Sequence, residues 1–177
     1  MRRTLDSLYN AAGYLAAFFI FAIFAVMVGG SALRELGFKT GGTDDVVAWM
    51  CAAAAFLAMA HTFRYGDFVR VLLLLERLGP RTRRWFEVGC LVVAAAAFGA
   101  LFWAAGRFVY DSWVFKDMPS GLIALPLWIP QSSFVLGAAL LFVAALDELV
   151  TVLRGNKPTY VVVAEERHAR GDFSEDI

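Results

Sequence analysis

Four long apolar runs, separated by short polar stretches, organise this 177-residue chain. They fall at about residues 8–33, 46–63, 85–106 and 130–153. A bilayer core about 30 Å thick is crossed by about 20 apolar residues in helical form. Lipid offers no partners to the backbone, so a single spanning segment must satisfy its own amide groups as a helix. The pattern predicts an all-α membrane protein with four transmembrane helices in one domain, residues 1–155. A polar tail of mixed charge, 156–177, follows and is expected to be mobile apart from its short apolar piece "YVVVA". Arg2 and Arg3 before the first run give it the look of a signal peptide, but the run is longer than a signal core and reads as a retained helix.

One further stretch, "GDFVRVLLLLERLG" at residues 66–79, is too short to span and too apolar for an ordinary loop. On a helix, Phe68, Val71, Leu72, Leu75 and Leu78 share one stripe, and Arg70 and Arg77 lie together on another face. Gly79 and Pro80 end it. The segment predicts an amphipathic helix lying in the membrane interface between the second and third spans. Val69, Leu73 and Leu74 fall outside the stripe, which leaves more apolar surface than headgroups can cover. Part of this helix is therefore expected to pack against protein, either this chain or a partner.

Composition agrees with a membrane protein. Hydrophobic residues make up 60% of the chain, charged residues 18%, and the mean hydropathy is +0.64. The formal net charge is zero and the arginines cluster beside apolar runs, so nothing points to nucleic acid. Their placement predicts orientation. Arg2, Arg3, Arg64, Arg70, Arg77, Arg81, Arg83, Arg84, Arg154, Lys157, Arg167 and Arg170 fall on one side, against Arg34, Lys39, Arg107 and Lys116 on the other. Both termini are expected in the cytoplasm, with the chain in a bacterial inner membrane. Trp85, Trp113 and Trp128 suit headgroup depth. Arg107 is expected to mark the outer boundary of the third helix. Asp44 or Asp45 is expected to cap the second, and Pro130 to sit in the first turn of the fourth.

No set of residues suited to catalysis emerges. Cys51 and Cys90 lie in apolar runs with no CxxC spacing, which argues against a disulfide framework or zinc site. Only His61 lies near the membrane, too few for paired haem ligands. Asp147 and Glu148, near the inner end of the fourth helix, are candidates for an ion site. Lying close to the exit, they are better read as partners of Arg64 or Arg84, and Glu87 is similar. Arg64, Arg70, Arg77 and Arg84 are the candidate charge and lipid contacts at the inner interface. The residues point to an accessory membrane subunit with no cofactor. Two other classes stay open: a small inner-membrane enzyme acting on an anionic lipid-like substrate, and a free-standing channel or exporter subunit.

Three stretches carry a resemblance: "GGTDDVVAWM" opening the second span, "RYGDFVRVLLLLERLGPRTRRW" after it, and "LPLWIP" (Leu125–Pro130) opening the last. With them the chain resembles the small membrane subunit, the Q or DctQ-type subunit, of tripartite ATP-independent periplasmic (TRAP) transporters. Arg64, Gly66, Val69, Arg70 and Val71 match the family's run, and Phe68 stands where His is common. The resemblance implies a non-catalytic permease subunit beside a large elevator-type membrane subunit that holds the sodium and substrate sites. A periplasmic binding protein delivers an organic acid or similar solute. It also implies that the leucine-rich arm contacts the large subunit. Pro126, Trp128 and Pro130 would lie on the outer face within reach of the binding protein, although a helix start with an interfacial anchor accounts for them as well.

Overall fold

The computed structural model describes residues 2–65, 80–121, 123–156, 159, 161 and 162. The expected interfacial helix at 66–79, with Phe68, Arg70, Val71, Leu72, Leu75, Arg77 and Leu78, lies outside the described residues, as does most of the tail. The described residues form four long helices and no strand: α1 (Arg2–Glu35), α2 (Thr43–Tyr65), α3 (Pro80–Val114) and α4 (Trp128–Leu153). All four are long and apolar enough to cross a membrane.

The helices outrun the expected spans. The apolar portions of α1 and α3 each cover 31 residues. At 1.5 Å per residue that is about 46 Å, longer than the hydrocarbon core, so these helices tilt or project into the headgroups. Arg107 does not end α3, which continues two turns further to Val114. An isolated arginine with a long aliphatic stem is compatible with helix at the boundary, where its head reaches the interface. Asp44 and Asp45 stand inside the first turn of α2, not at its cap, and still complement the positive helix end. The Thr43 hydroxyl donates to the Thr40 carbonyl there, 3.0 Å. Pro130 occupies the first turn of α4, where its missing N–H leaves no hydrogen bond unmade.

The helices form a row, not a closed bundle. α1 packs on α2, α2 on α4, and α4 on α3, so the sequence order α1-α2-α3-α4 becomes α1-α2-α4-α3 in space. The inner pair is joined by small residues. Ala53, Ala54, Leu57 and Ala60 of α2 are buried, as are Gly137, Ala138, Leu141, Ala144 and Ala145 of α4. Small side chains let backbones approach, and this close packing drives helix association in lipid, where the hydrophobic effect between helices is absent. A Cβ on Gly137 would stand 2.5 Å from the Phe56 carbonyl oxygen, so only glycine fits that crossing. Phe56 and Phe134 stack beside it with ring centroids 5.1 Å apart. The flanking helices bury a narrow stripe each: Tyr9, Ala12 and Ala16 of α1, and Leu91 and Ala95 of α3. Their remaining surfaces are apolar and exposed, including Tyr14, Phe18, Phe21 and Phe24 on α1 and Val93, Trp103 and Phe108 on α3.

Candidate functional site

Near one end of the row, a single guanidinium ties three helices together. Arg64, in the last turn of α2, is 4% exposed. Its Nη1 donates to Asp147 Oδ2 at 2.7 Å and to Glu148 Oε1 at 3.0 Å, both on α4. Its Nη2 donates to Asp6 Oδ1 on α1 at 2.9 Å. The Tyr9 ring, from α1, lies under the guanidinium carbon at 5.8 Å, within cation–π range. Glu148 uses its second oxygen to accept from the Thr159 backbone N–H at 3.0 Å, which fastens the start of the tail to α4. The planar fork suits this position: Nη1 and Nη2 are separate donors held in fixed directions, one aimed at α4 and one at α1, where a lysine would offer a single nitrogen.

Burial is graded across the cluster. The Glu148 side chain is 1% exposed, Asp147 22% and Asp6 44%. The core just beneath draws on all four helices, with Tyr9, Phe63, Leu91, Ala95, Leu141, Ala144 and Val152 in one apolar cluster. Phe63 and Phe98 meet edge to face at 5.7 Å within it. The acids make a clasp, because each carboxylate is held by a cation on a neighbouring helix. Arg84 does not join them; it donates to the Leu153 carbonyl at 3.3 Å and is exposed.

The sequence had pointed to Asp147 and Glu148 with Arg64, but not to Asp6 or Tyr9. Their signal was spacing. Asp6, Tyr9, Ala12, Gly13 and Ala16 recur at three and four residues, which places them on one face. Gly13 confirms that this face is the contact, since a Cβ there would lie 2.9 Å from His61 Nδ1 of α2.

At the opposite end, the α3–α4 connection forms an open groove of about 460 Å³. Pro126 and Trp128 line it together with Trp113, Val114, Lys116 and Met118. Pro130, in the first turn of α4, is partly buried, and its carbonyl accepts from the Ser133 hydroxyl at 2.7 Å. Among the described residues no group of three or more His, Cys, Asp or Glu is arranged to hold a metal ion. Cys51 and Cys90 are free and exposed on separate helices.

The family model described as tripartite ATP-independent periplasmic transporters, DctQ component, matches residues 23–155. The chain belongs to that family. It is a transporter component, and its four spanning helices make it a multi-pass membrane protein. No curated protein matches it. The matched DctQ region takes in Arg64, Asp147 and Glu148 and the whole leucine-rich arm, and leaves out Asp6 and Tyr9.

Proposed function

We propose that this DctQ-family chain is the small, non-catalytic permease subunit of a sodium-coupled uptake system for an organic acid or similar solute. It braces a large elevator-type subunit and helps dock a periplasmic binding protein. In this reading it takes no cofactor, and sodium binds the large subunit. Both termini face the cytoplasm, so the Arg64 clasp lies at the inner interface and the Trp128 end faces outward.

The observation that carries the reading is the row itself. α2 and α4 are held by small-residue packing and by the Arg64 ion pairs, while α1 and α3 leave broad apolar flanks uncovered. A closed bundle would leave only a lipid-facing exterior, whereas a row presents long edges along which a partner can extend it. A scaffold against which another subunit moves must also resist shear, and interhelical ion pairs fix register.

Gentle detergent extraction of the tagged chain from its native membrane, followed by mass spectrometry, tests this. Stoichiometric recovery of a large many-span membrane protein supports the reading. A chain that purifies alone, or only with itself, overturns it.

A further inference from the structure

Among the described residues three helix ends close with the same backbone hydrogen bond, and one of the three does so without glycine. After α1, the Phe38 N–H reaches back to the Leu33 carbonyl at 3.0 Å, with Gly37 between at φ +82°. After α4, the Asn156 N–H reaches the Thr151 carbonyl at 3.2 Å, with Gly155 at φ +84°. After α3, the Asp117 N–H reaches the Ser112 carbonyl at 3.0 Å, but the left-handed residue is Lys116, at φ +53°. Glycine takes that conformation freely, while a side chain there is strained. A strained backbone that persists raises the question of what its side chain does.

Lys116 lines the groove between the end of α3 and the start of α4. Trp113 and Val114 form one wall, Pro126 and Trp128 the other, and Met118 joins them. The walls are pinned together by the Leu127 N–H, which donates to the Asp117 carbonyl at 3.1 Å. Helix ends rich in tryptophan mark the depth of lipid headgroups. We propose that this groove seats one phospholipid, its headgroup phosphate on Lys116 and the first part of an acyl chain between Trp113 and Trp128.

The lining favours lipid over peptide. Apart from Lys116 and the two indole N–H groups, its side chains offer no strong hydrogen-bonding group, so the backbone of an extended peptide would go unmatched. A phospholipid needs one cation and apolar walls, and both are present. Asp111 and Asp117 are exposed nearby and complement the ammonium of an ethanolamine headgroup. The negative end of α3 also favours a cation, but a lysine within the last helical turn would meet that need without left-handed strain. The seat depends on the membrane placement of α3 and α4 alone. A headgroup held there adds to the face proposed to meet the binding protein.

Lys116→Gly separates the two roles. Wild type, Lys116→Gly and Trp128→Ala are purified from vesicles of phosphatidylethanolamine and phosphatidylglycerol and partly delipidated. Retained phospholipid is counted by native mass spectrometry, and melting is followed as lipid is added back. Lys116→Gly should hold phospholipid roughly fivefold more weakly, the scale expected for one lysine at a charged headgroup, and Trp128→Ala should also retain less than wild type. Fully delipidated Lys116→Gly should melt above delipidated wild type, because its backbone strain is gone. Equal retention and equal lipid-dependent melting shifts in all three proteins overturn the proposal. So does stabilisation of wild type by glycerol phosphate alone to the same degree, which would make the groove an anion site with no place for a chain.

Discussion

Arg64 of α2 and Glu148 of α4 meet at 3.0 Å with side chains 4% and 1% exposed, so the joint between the two central helices is a buried ion pair. Removing one member of such a pair leaves the other charge buried without compensation, typically at a cost of about 3–5 kcal/mol. Arg64→Ala is therefore expected to be the most damaging change in the clasp, seen as a large fall in melting temperature in detergent. Arg64→Lys should recover only part of the loss, since a single nitrogen replaces the two that now reach α4 and α1 separately. Asp6→Asn should be mild because that carboxylate is 44% exposed and solvent screens it. Equal damage from Asp6→Asn and Arg64→Ala would show that burial does not set the ranking.

Tyr9 gives the opposite sign. It is fully buried, and its hydroxyl has no hydrogen-bond partner among the described residues. A buried hydroxyl left unpaired weakens the fold, whereas its ring supports Arg64 and fills the core. Tyr9→Phe should keep the ring and shed the unpaired group, giving equal or higher thermal stability, by up to about 1 kcal/mol. Tyr9→Ala should lose about 3–5 kcal/mol through the cavity it leaves. A marked loss from Tyr9→Phe would mean that the hydroxyl makes a contact that matters.

How far the sequence revealed this structure depended on what distinguishes protein contact from lipid contact. Four spans were legible because their length and apolarity respond to the bilayer itself. The row order was not, because residues facing lipid and residues facing protein are both apolar, and amphipathic reasoning loses its contrast. The usable signal was size. Ala53, Leu57, Ala60 and Arg64 recur at three and four residues on α2, as do Gly137, Leu141, Ala144, Glu148 and Thr151 on α4. Charged residues at the ends of small-residue stripes point inward, which marks Arg64 and Glu148, and by the same rule Asp6. The extent of α3 is not legible from Arg107, because one snorkelling arginine does not stop a helix.

The close approach at Gly137 predicts a sharp intolerance. Its added Cβ would meet the Phe56 carbonyl oxygen at 2.5 Å and the carbonyl carbon at 2.6 Å, both backbone atoms that cannot rotate away. Gly137→Ala must push α2 from α4 and should cost about 1–3 kcal/mol, the range for overpacked sites. Gly29→Ala on α1 is the control: among the described residues no neighbouring group lies within 4 Å of its added methyl, so melting should stay unchanged or rise slightly with better helix propensity. Equal melting of the two variants would argue that the α2–α4 crossing is looser than this packing.

The leucine-rich arm carries the prediction that bears most directly on assembly. Leu72 and Leu75 share the apolar stripe of residues 66–79 that directly follows Arg64 and Tyr65 at the clasp. If that stripe packs on the large subunit, Leu72→Asp with Leu75→Asp places two charges in an apolar contact, at a few kcal/mol each when unpaired. Recovery of the large subunit in detergent should fall sharply, and solute uptake with it, while the melting of the isolated small subunit changes little. A large drop in that melting would instead assign the arm to this chain's own helices. Normal recovery and uptake with both aspartates in place would mean that the stripe touches only lipid headgroups, and the bracing role would then rest on the exposed flanks of α1 and α3.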